Sequence, residues 1–349
     1  MTADRVLIAE PLSETGLAVL VKAGLAADVR TDLSREGLLA AIGDYDALVV
    51  RSATQVDREL LTAGKKLRVV GRAGVGLDNV DVKAATERGI LVVNAPSGNV
   101  VSAAEHAIAI LLAFLRKIPE AQTSLKAGEW KRTKFVGTEL QGKTVGLVGL
   151  GQVGARVAAR LRPWRVTLLA FDPFVTPERA QELGVAPVSL DELLAKSDIV
   201  SLHAPGGAET KHLIGAPQLA KMKKGAILVN CARGPLVDEA ALVEHCRAHL
   251  DFRAGLDVFE REPATAPGLL DLPNVVAVPH LGSATGWTRE GMAALAACNV
   301  AAVLRGWPVW PSADITPFLT AHPPAAAPSI VNARELGLTV LGPPAGPAA

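Results

Sequence analysis

The chain has 349 residues, enough for about two domains and for cores that need no disulfide or metal as a staple. Its 36 basic and 35 acidic side chains nearly cancel and aromatics make up only 4%, which argues against a nucleic-acid or anionic-membrane surface. Three cysteines, Cys231, Cys246 and Cys298, form no C-x-x-C pair, so neither a disulfide framework nor a metal site is expected, and a reducing, cytoplasmic setting is the simplest reading. The first residues lack a signal-peptide pattern, and the longest apolar stretch, 107–115, is too short to cross a bilayer.

In chain order, short apolar runs at 6–9, 47–50, 69–70 and 91–93 predict strands, separated by helical periodicity over 14–22, 35–41 and 80–88. A second series follows, with strands at 145–148, 167–171, 199–202, 226–230, 254–258 and 275–278. Its helices fall at 153–161, 177–183, 190–196, 216–222 and 239–247. Such alternation predicts parallel sheets covered on both faces. The expected fold class is α/β, with two doubly wound, Rossmann-like parallel-sheet domains. Longer helical stretches at 101–115, with periodicity running on toward 126, and at 284–304 lie where the two series meet. They suggest a discontinuous substrate-binding domain, 1–98 and 284–310, into which a cofactor-binding domain, 99–283, is inserted. A single split near residue 100 also satisfies the periodicity. Eight of the 23 prolines and nine alanines fall within the last 39 residues, so 311–349 reads as a poorly ordered tail.

Gly149-Leu150-Gly151-Gln152-Val153-Gly154 is a G-x-G-x-x-G placed between a predicted strand and a predicted helix. Gly149 permits a tight turn, Gly151 lets a pyrophosphate approach the backbone, and Gly154 lets helix and strand pack closely. Gln152 and Val153 open the helix, whose free N–H groups favour an anion. Asp172 ends the next strand 18 residues after Gly154, the spacing of a ribose-binding carboxylate, and this favours NAD over NADP. Arg162 and Arg165, nearby in sequence, keep NADP as the alternative.

Three further strand ends carry Arg233, Glu262 and His280. A guanidinium can fork onto a substrate carboxylate. An imidazole can take a hydroxyl proton as hydride leaves, and a carboxylate can orient that imidazole and favour its charged form. The other histidines lack metal-ligand spacing, and His106 on the long helix reads as a packing residue.

These residues sit in longer motifs: Val50-Arg-Ser-Ala-Thr54, the stretch from Gly71 to Asp81, Ser102-Ala-Ala-Glu105, Asn230-Cys-Ala-Arg-Gly234, Gly255-Leu-Asp-Val-Phe259 and Pro279-His-Leu-Gly282. Over about residues 4–310 the chain resembles the D-isomer-specific 2-hydroxyacid dehydrogenases. The resemblance implies Arg233, Glu262 and His280 as the catalytic set and NAD as cofactor. It adds His203, Pro205, Cys231, Ala232, Asp257 and Gly282 to the cofactor contacts. It also implies that Gly74, Val75 and Gly76 offer backbone N–H groups to the substrate carboxylate, with Asn99 close by. Arg51 would meet the phosphate of a phosphorylated 2-hydroxy acid, and Arg132 would add charge from a neighbouring subunit of a homodimer or higher homo-oligomer.

The reaction so implied is NAD-dependent oxidation of D-3-phosphoglycerate to 3-phosphohydroxypyruvate, the first step of phosphorylated serine synthesis. The alternatives are a glyoxylate or hydroxypyruvate reductase and a non-catalytic, NAD-sensing corepressor-like scaffold. Departures from the family pattern occur at Pro163, Gly206, Pro235 and Arg253. Many relatives carry further C-terminal domains, and feedback through such a domain is not expected here.

Overall fold

The computed structural model describes residues 3–306 and 330–337. They form two compact units, one built from 3–99 with 285–306 and 330–337 and the other from 100–284.

In the first unit, five parallel strands, β1 (Arg5–Ile8), β2 (Ala26–Val29), β3 (Ala47–Val50), β4 (Val69–Arg72) and β5 (Leu91–Val93), run in the order β2-β1-β3-β4-β5. All four residues of β3 are buried, as expected of a central strand covered on both faces. On one face, helices Glu14–Lys22 and Gly286–Arg305 pack over Val6, Ile8, Val49 and Val69. On the other, helices Arg35–Ala41, Arg58–Ala63 and Val82–Glu87 bury Leu38, Leu60, Leu61 and Ala84 against Leu7, Leu48 and Val70. Alanines 293, 294, 296, 297, 301 and 302 are all buried in helix Gly286–Arg305, and small side chains let its axis come close to the sheet. A Cβ on Gly71 of β4 would collide with Val300 of that helix.

The second unit holds seven parallel strands: β6 (Thr144–Val148), β7 (Thr167–Phe171), β8 (Ala186–Pro187), β9 (Ile199–Leu202), β10 (Ile227–Asn230), β11 (Arg253–Leu256) and β12 (Val275–Ala277). Their order is β12-β11-β10-β9-β6-β7-β8. The strand order reverses between β6 and β9 in this unit and between β1 and β3 in the first. In open parallel sheets, ligands bind beyond the carboxyl ends of the strands at such a reversal.

The two doubly wound parallel sheets are those expected. Differences are local. Strand β2 and helix Arg58–Ala63 were not foreseen, because β2 is a half-exposed edge whose Asp28 breaks the apolar run, and β8 has only two residues. The long helix stops at Leu115, and a separate helix, Ile118–Lys126, follows. Lys117 between them adopts a left-handed conformation (φ 51°), and Pro119 cannot continue the hydrogen-bond ladder. Helix Gln152–Leu161 ends just before Arg162–Trp164, a 3-10 turn containing Pro163, as proline dictates.

Part of the stretch expected to be a poorly ordered tail is packed. Ile330 pairs with Val93 on the β5 edge, and the Asn332 side chain, 1% exposed, bonds to Val92 N–H, Ile90 C=O and Thr86 Oγ1. The rest of 311–349 lies outside the described residues. Among the described residues, no helix is long and apolar enough to cross a membrane.

Candidate active site

The fingerprint turn leaves β6 with Gly149 at φ 95°, a conformation that glycine adopts without strain. A Cβ on Gly149 would strike the backbone of His203 and Ala204, and one on Gly154 would collide with the Gly149 carbonyl. Gly151 differs, because a Cβ there would meet nothing within 4 Å. It is the N-cap of helix Gln152–Leu161, and no side chain caps that end. An open helix N-terminus on a bare glycine turn has the shape and charge to hold a dinucleotide pyrophosphate, so these residues fit NAD.

Asp172 follows β7 and braces this turn: Oδ2 accepts from Leu150 N–H (2.7 Å) and Oδ1 from Phe174 N–H (2.9 Å). Each oxygen keeps a further lone pair for a ribose hydroxyl. His203, at the end of β9, stands behind the glycines with its Nε2 3.0 Å from Ser201 Oγ. Burial pushes its pKa down to about 4, so the ring is neutral at physiological pH. Pro205 is exposed, and its carbonyl accepts from Thr210 Oγ1 (2.8 Å).

The loops beyond β10, β11 and β12 carry the candidate reactive groups Arg233, Glu262 and His280. After β10, Asn230 organises the turn: its Oδ1 accepts from Ala232 N–H (3.1 Å), and its Nδ2 donates to Arg233 C=O (2.8 Å). Gly234 must be glycine, since a Cβ would overlap the Phe259 carbonyl group. Gly206 likewise leaves room for the Arg233 side chain, which lies 3.0 Å from where its Cβ would be. The departure at Gly206 is thus accommodated by the Arg233 stem.

After β12, His280 has a left-handed backbone (φ 50°), held by its N–H bond to the Asp257 carbonyl (2.8 Å). Its Nδ1 lies 2.7 Å from Glu262 Oε2. Glu262 Oε1 accepts from Phe259 N–H (3.2 Å), which fixes the carboxylate plane. Burial pushes the Glu262 carboxyl up, but the His280 hydrogen bond and charge, the Phe259 N–H and the Arg233 charge outweigh it, so it ionises below its ordinary range. The hydrogen bond to Glu262 raises the His280 pKa. Burial opposes this, and the Glu262 and Asp257 charges add to it. A carboxylate on Nδ1–H fixes the neutral tautomer with its lone pair on Nε2, the nitrogen free to exchange a proton with a substrate.

Asp257 is fully buried, and its two oxygens accept from Leu281 N–H (2.5 Å) and Gly282 N–H (2.8 Å). It thereby fixes the turn that carries His280. His106 Nε2 lies 3.1 Å from Asp257 Oδ1, at ion-pair distance but without hydrogen-bond geometry. With Cys231 Sγ these atoms fall within 4.8 Å of one another. Burial, reinforced by the Asp257 charge, pushes the Cys231 thiol up, so it stays protonated. The trio was not legible in the sequence, because its members come from three separate elements.

A second missed residue is Glu239, 4% exposed. Its carboxylate accepts from Glu260 N–H (2.6 Å) and Ala266 N–H (2.9 Å), bracketing the loop that bears Glu262. The sequence signal was only a charged residue opening an ordinary helix.

The remaining candidates divide between the units. Arg132 is exposed on the 3-10 turn Arg132–Phe135 of the second unit, with no ion pair among the described residues. In the first unit, Arg51 follows β3 and the 74–76 turn follows β4. Gly74 N–H bonds to Arg72 C=O (2.8 Å), closing that turn. The N–H groups of Val75 and Gly76 make no hydrogen bond among the described residues. Asn99 closes the first unit just before helix Val100–Leu115.

The chain is similar in sequence and fold to known proteins. Residues 108–282 match the D-isomer specific 2-hydroxyacid dehydrogenase, NAD binding domain. D-3-phosphoglycerate dehydrogenase of Archaeoglobus fulgidus is 49% identical over 306 residues, covering 87% of this chain and 58% of that protein. The chain spans about half the length of the curated relatives it matches. The TT0316 protein of Thermus thermophilus superposes with a TM-score of 0.79 at 38% identity, covering 87% of this chain and 97% of that one. A glyoxylate reductase from Paecilomyes thermophila does so with 0.79 at 33% identity, covering 88% and 97%. The chain therefore belongs to the D-isomer specific 2-hydroxyacid dehydrogenase family, with NAD as its cofactor.

Proposed function

We propose that the protein oxidises D-3-phosphoglycerate to 3-phosphohydroxypyruvate, the entry reaction of phosphorylated serine synthesis. The reading rests chiefly on the Glu262–His280 pair at 2.7 Å, set on neighbouring strand ends of the unit that carries the dinucleotide fingerprint. The second unit is assigned NAD binding and proton transfer, and the first is assigned substrate recognition.

Bound NAD supplies the acceptor for the hydride leaving C2 of the substrate. His280 Nε2 takes the hydroxyl proton in the same step and returns it in reduction. Glu262 stabilises the imidazolium that results, through Nδ1–H and by its charge. Arg233 holds the substrate carboxylate in bidentate fashion and, as a cation, limits how far the His280 pKa rises. Gly149, Gly151, Gln152, Val153 and Gly154 would cradle the pyrophosphate, with Asp172 on the ribose. His203, Pro205, Cys231, Ala232, Asp257 and Gly282 would border the cofactor. Val75 and Gly76, with Gly74 as the turn residue and Asn99 beside it, would meet the substrate carboxylate. Arg51 is assigned the phosphate, and Arg132 is assigned to the same anion from a partner subunit.

A homodimer or higher assembly is part of this reading, supported by Ile118, Leu125, Trp130 and Val136, large apolar residues exposed together in one stretch of chain. A cytoplasmic location is inferred from the three free cysteines, two of them buried.

The test is a steady-state comparison of D-3-phosphoglycerate with hydroxypyruvate and glyoxylate, each with NAD or NADP in the matching redox form. Turnover of the phosphorylated acid with NAD is expected. Turnover confined to the unphosphorylated acids would replace this reading with the reductase, and NAD binding without any turnover would leave the scaffold.

A further inference from the structure

Arg51 follows β3, next to the point where the strand order of the first unit reverses. Its guanidinium makes no ion pair or hydrogen bond among the described residues, although the residue is half-buried. The loop that carries it, 51–54, is held from two sides. Glu10, just beyond β1, accepts three of its backbone N–H bonds: Oε1 from Arg51 (2.9 Å) and Thr54 (2.9 Å), and Oε2 from Ala53 (3.2 Å). From the other side Asn79, 7% exposed, donates through Nδ2 to the carbonyls of Arg51 (2.8 Å) and Thr54 (2.7 Å). One side chain thus takes three backbone donors of the loop and the other takes two of its carbonyls.

This has a chemical consequence. A loop of free N–H groups beyond a strand end is itself an anion site, and it would accept a carboxylate or a phosphate alike. Here that site is filled by a carboxylate of the chain itself. Burial pushes Glu10 up, but the three N–H bonds outweigh it, and the group stays ionised. What the loop still offers an incoming anion is the Arg51 guanidinium, with the exposed Ser52 beside it, on a backbone that cannot shift without breaking five hydrogen bonds.

We propose that Glu10 and Asn79 are positioning residues that clamp the 51–54 loop and so fix the Arg51 guanidinium as its charged reader of a substrate's second anionic group, giving selectivity for phosphorylated over unphosphorylated hydroxy acids. The inference rests on the proposed reading that Arg51 meets the substrate phosphate. Neither residue touches the substrate; each acts through Arg51.

The experiment is a cycle of Glu10→Gln, Arg51→Ala and the double variant, with Asn79→Ala as the approach from the opposite side should Glu10→Gln fail to fold. In each protein kcat and KM are measured for 3-phosphohydroxypyruvate and for hydroxypyruvate, together with NAD affinity and the thermal midpoint. Loss of a charge-assisted contact predicts that KM for the phosphorylated acid rises about tenfold or more in Glu10→Gln. Little change is expected in kcat, in KM for hydroxypyruvate or in NAD affinity. On the Arg51→Ala background, Glu10→Gln should add nothing to that KM, because both act on one contact. An additive effect, or an equal rise in KM for both acids, would make Glu10 merely structural and overturn the clamp. So would a phosphate preference that depends on Arg51 but survives Glu10→Gln. If Arg51→Ala leaves the phosphate preference unchanged, the assignment of Arg51 to the phosphate fails first, and the clamp loses its role with it.

Discussion

Both units present loops at a reversal of strand order, yet they use that place in opposite ways. In the second unit the turn after β6 is bare: Gly151 faces open space and its helix end has no side-chain cap. In the first unit the equivalent place, beyond β1 and β3, is filled by the Glu10 carboxylate, which takes three N–H groups. The same architecture therefore gives a backbone anion site in one unit and a side-chain cation on a braced loop in the other. Carboxylates mark the contrast. Glu10 is consumed in holding backbone, while Glu262 is kept on His280, where it can act on a proton. Parallel strands supply the positions, and which groups remain unpaired there decides what each unit can bind.

The sharpest way to break the comparison is His280→Ala. Losing a general base costs about 100- to 10,000-fold in turnover, while NAD affinity, measured by fluorescence quenching, should hold. An unchanged rate would remove His280 from its role. Arg51→Ala comes next. Removal of a charge-assisted contact of about 1.5–3 kcal/mol should raise KM for the phosphorylated acid by roughly 10- to 100-fold, read in steady-state kinetics, without weakening NAD.

Glu262→Gln tests the second unit's use of its carboxylate. The His280 pKa is raised by Glu262, so in the wild type the base form is lost as pH falls through that raised value. Removing the charge lowers the pKa, and the acid limb of the oxidation profile should move to lower pH. Turnover at the optimum should fall as well, because the imidazolium formed as hydride leaves loses the charge that stabilises it. A profile that moves to higher pH would contradict the pairing.

Gly154→Ala addresses the bare turn itself. The added Cβ collides with the Gly149 carbonyl, and overpacking of this kind costs about 1–3 kcal/mol, visible as a lower thermal midpoint together with weaker NAD binding. Smallest is Asn332→Ala, which leaves Val92 N–H and Ile90 C=O without their partner on the β5 edge. It should destabilise the first unit by about 1–3 kcal/mol in denaturant unfolding and leave NAD affinity unchanged.

Much of this was written in the sequence because it depends on neighbours along the chain. Apolar runs such as 47–50 and 199–202 became buried central strands because continuous apolarity leaves no solvent face. The fingerprint glycines at 149, 151 and 154 are fixed by local φ values and close approach. Ser13, Ser34 and Asp81 cap helices through bonds three residues away. Arg233, Glu262 and His280 could be chosen because each follows a readable strand.

What the sequence did not yield depends on atoms far apart in the chain. Glu10 reaches across 41 residues to Arg51 N–H, Asn332 across 240 to Val92, and Asp257 across 25 to Gly282. Periodicity carries no trace of such contacts, since a carboxylate or amide beside a strand looks the same whether it is solvated or clamping a loop. Nor could it tell that Ile330 would pair with an edge strand. The sequence by itself determined most of the alternation of strands and helices, the glycine turn after β6 and the strand-end positions of Arg233, Glu262 and His280, because these arise from local sterics and burial. Only the tertiary structure decided which donors and charges remain unpaired at the strand ends, because pairing is a property of three-dimensional neighbours.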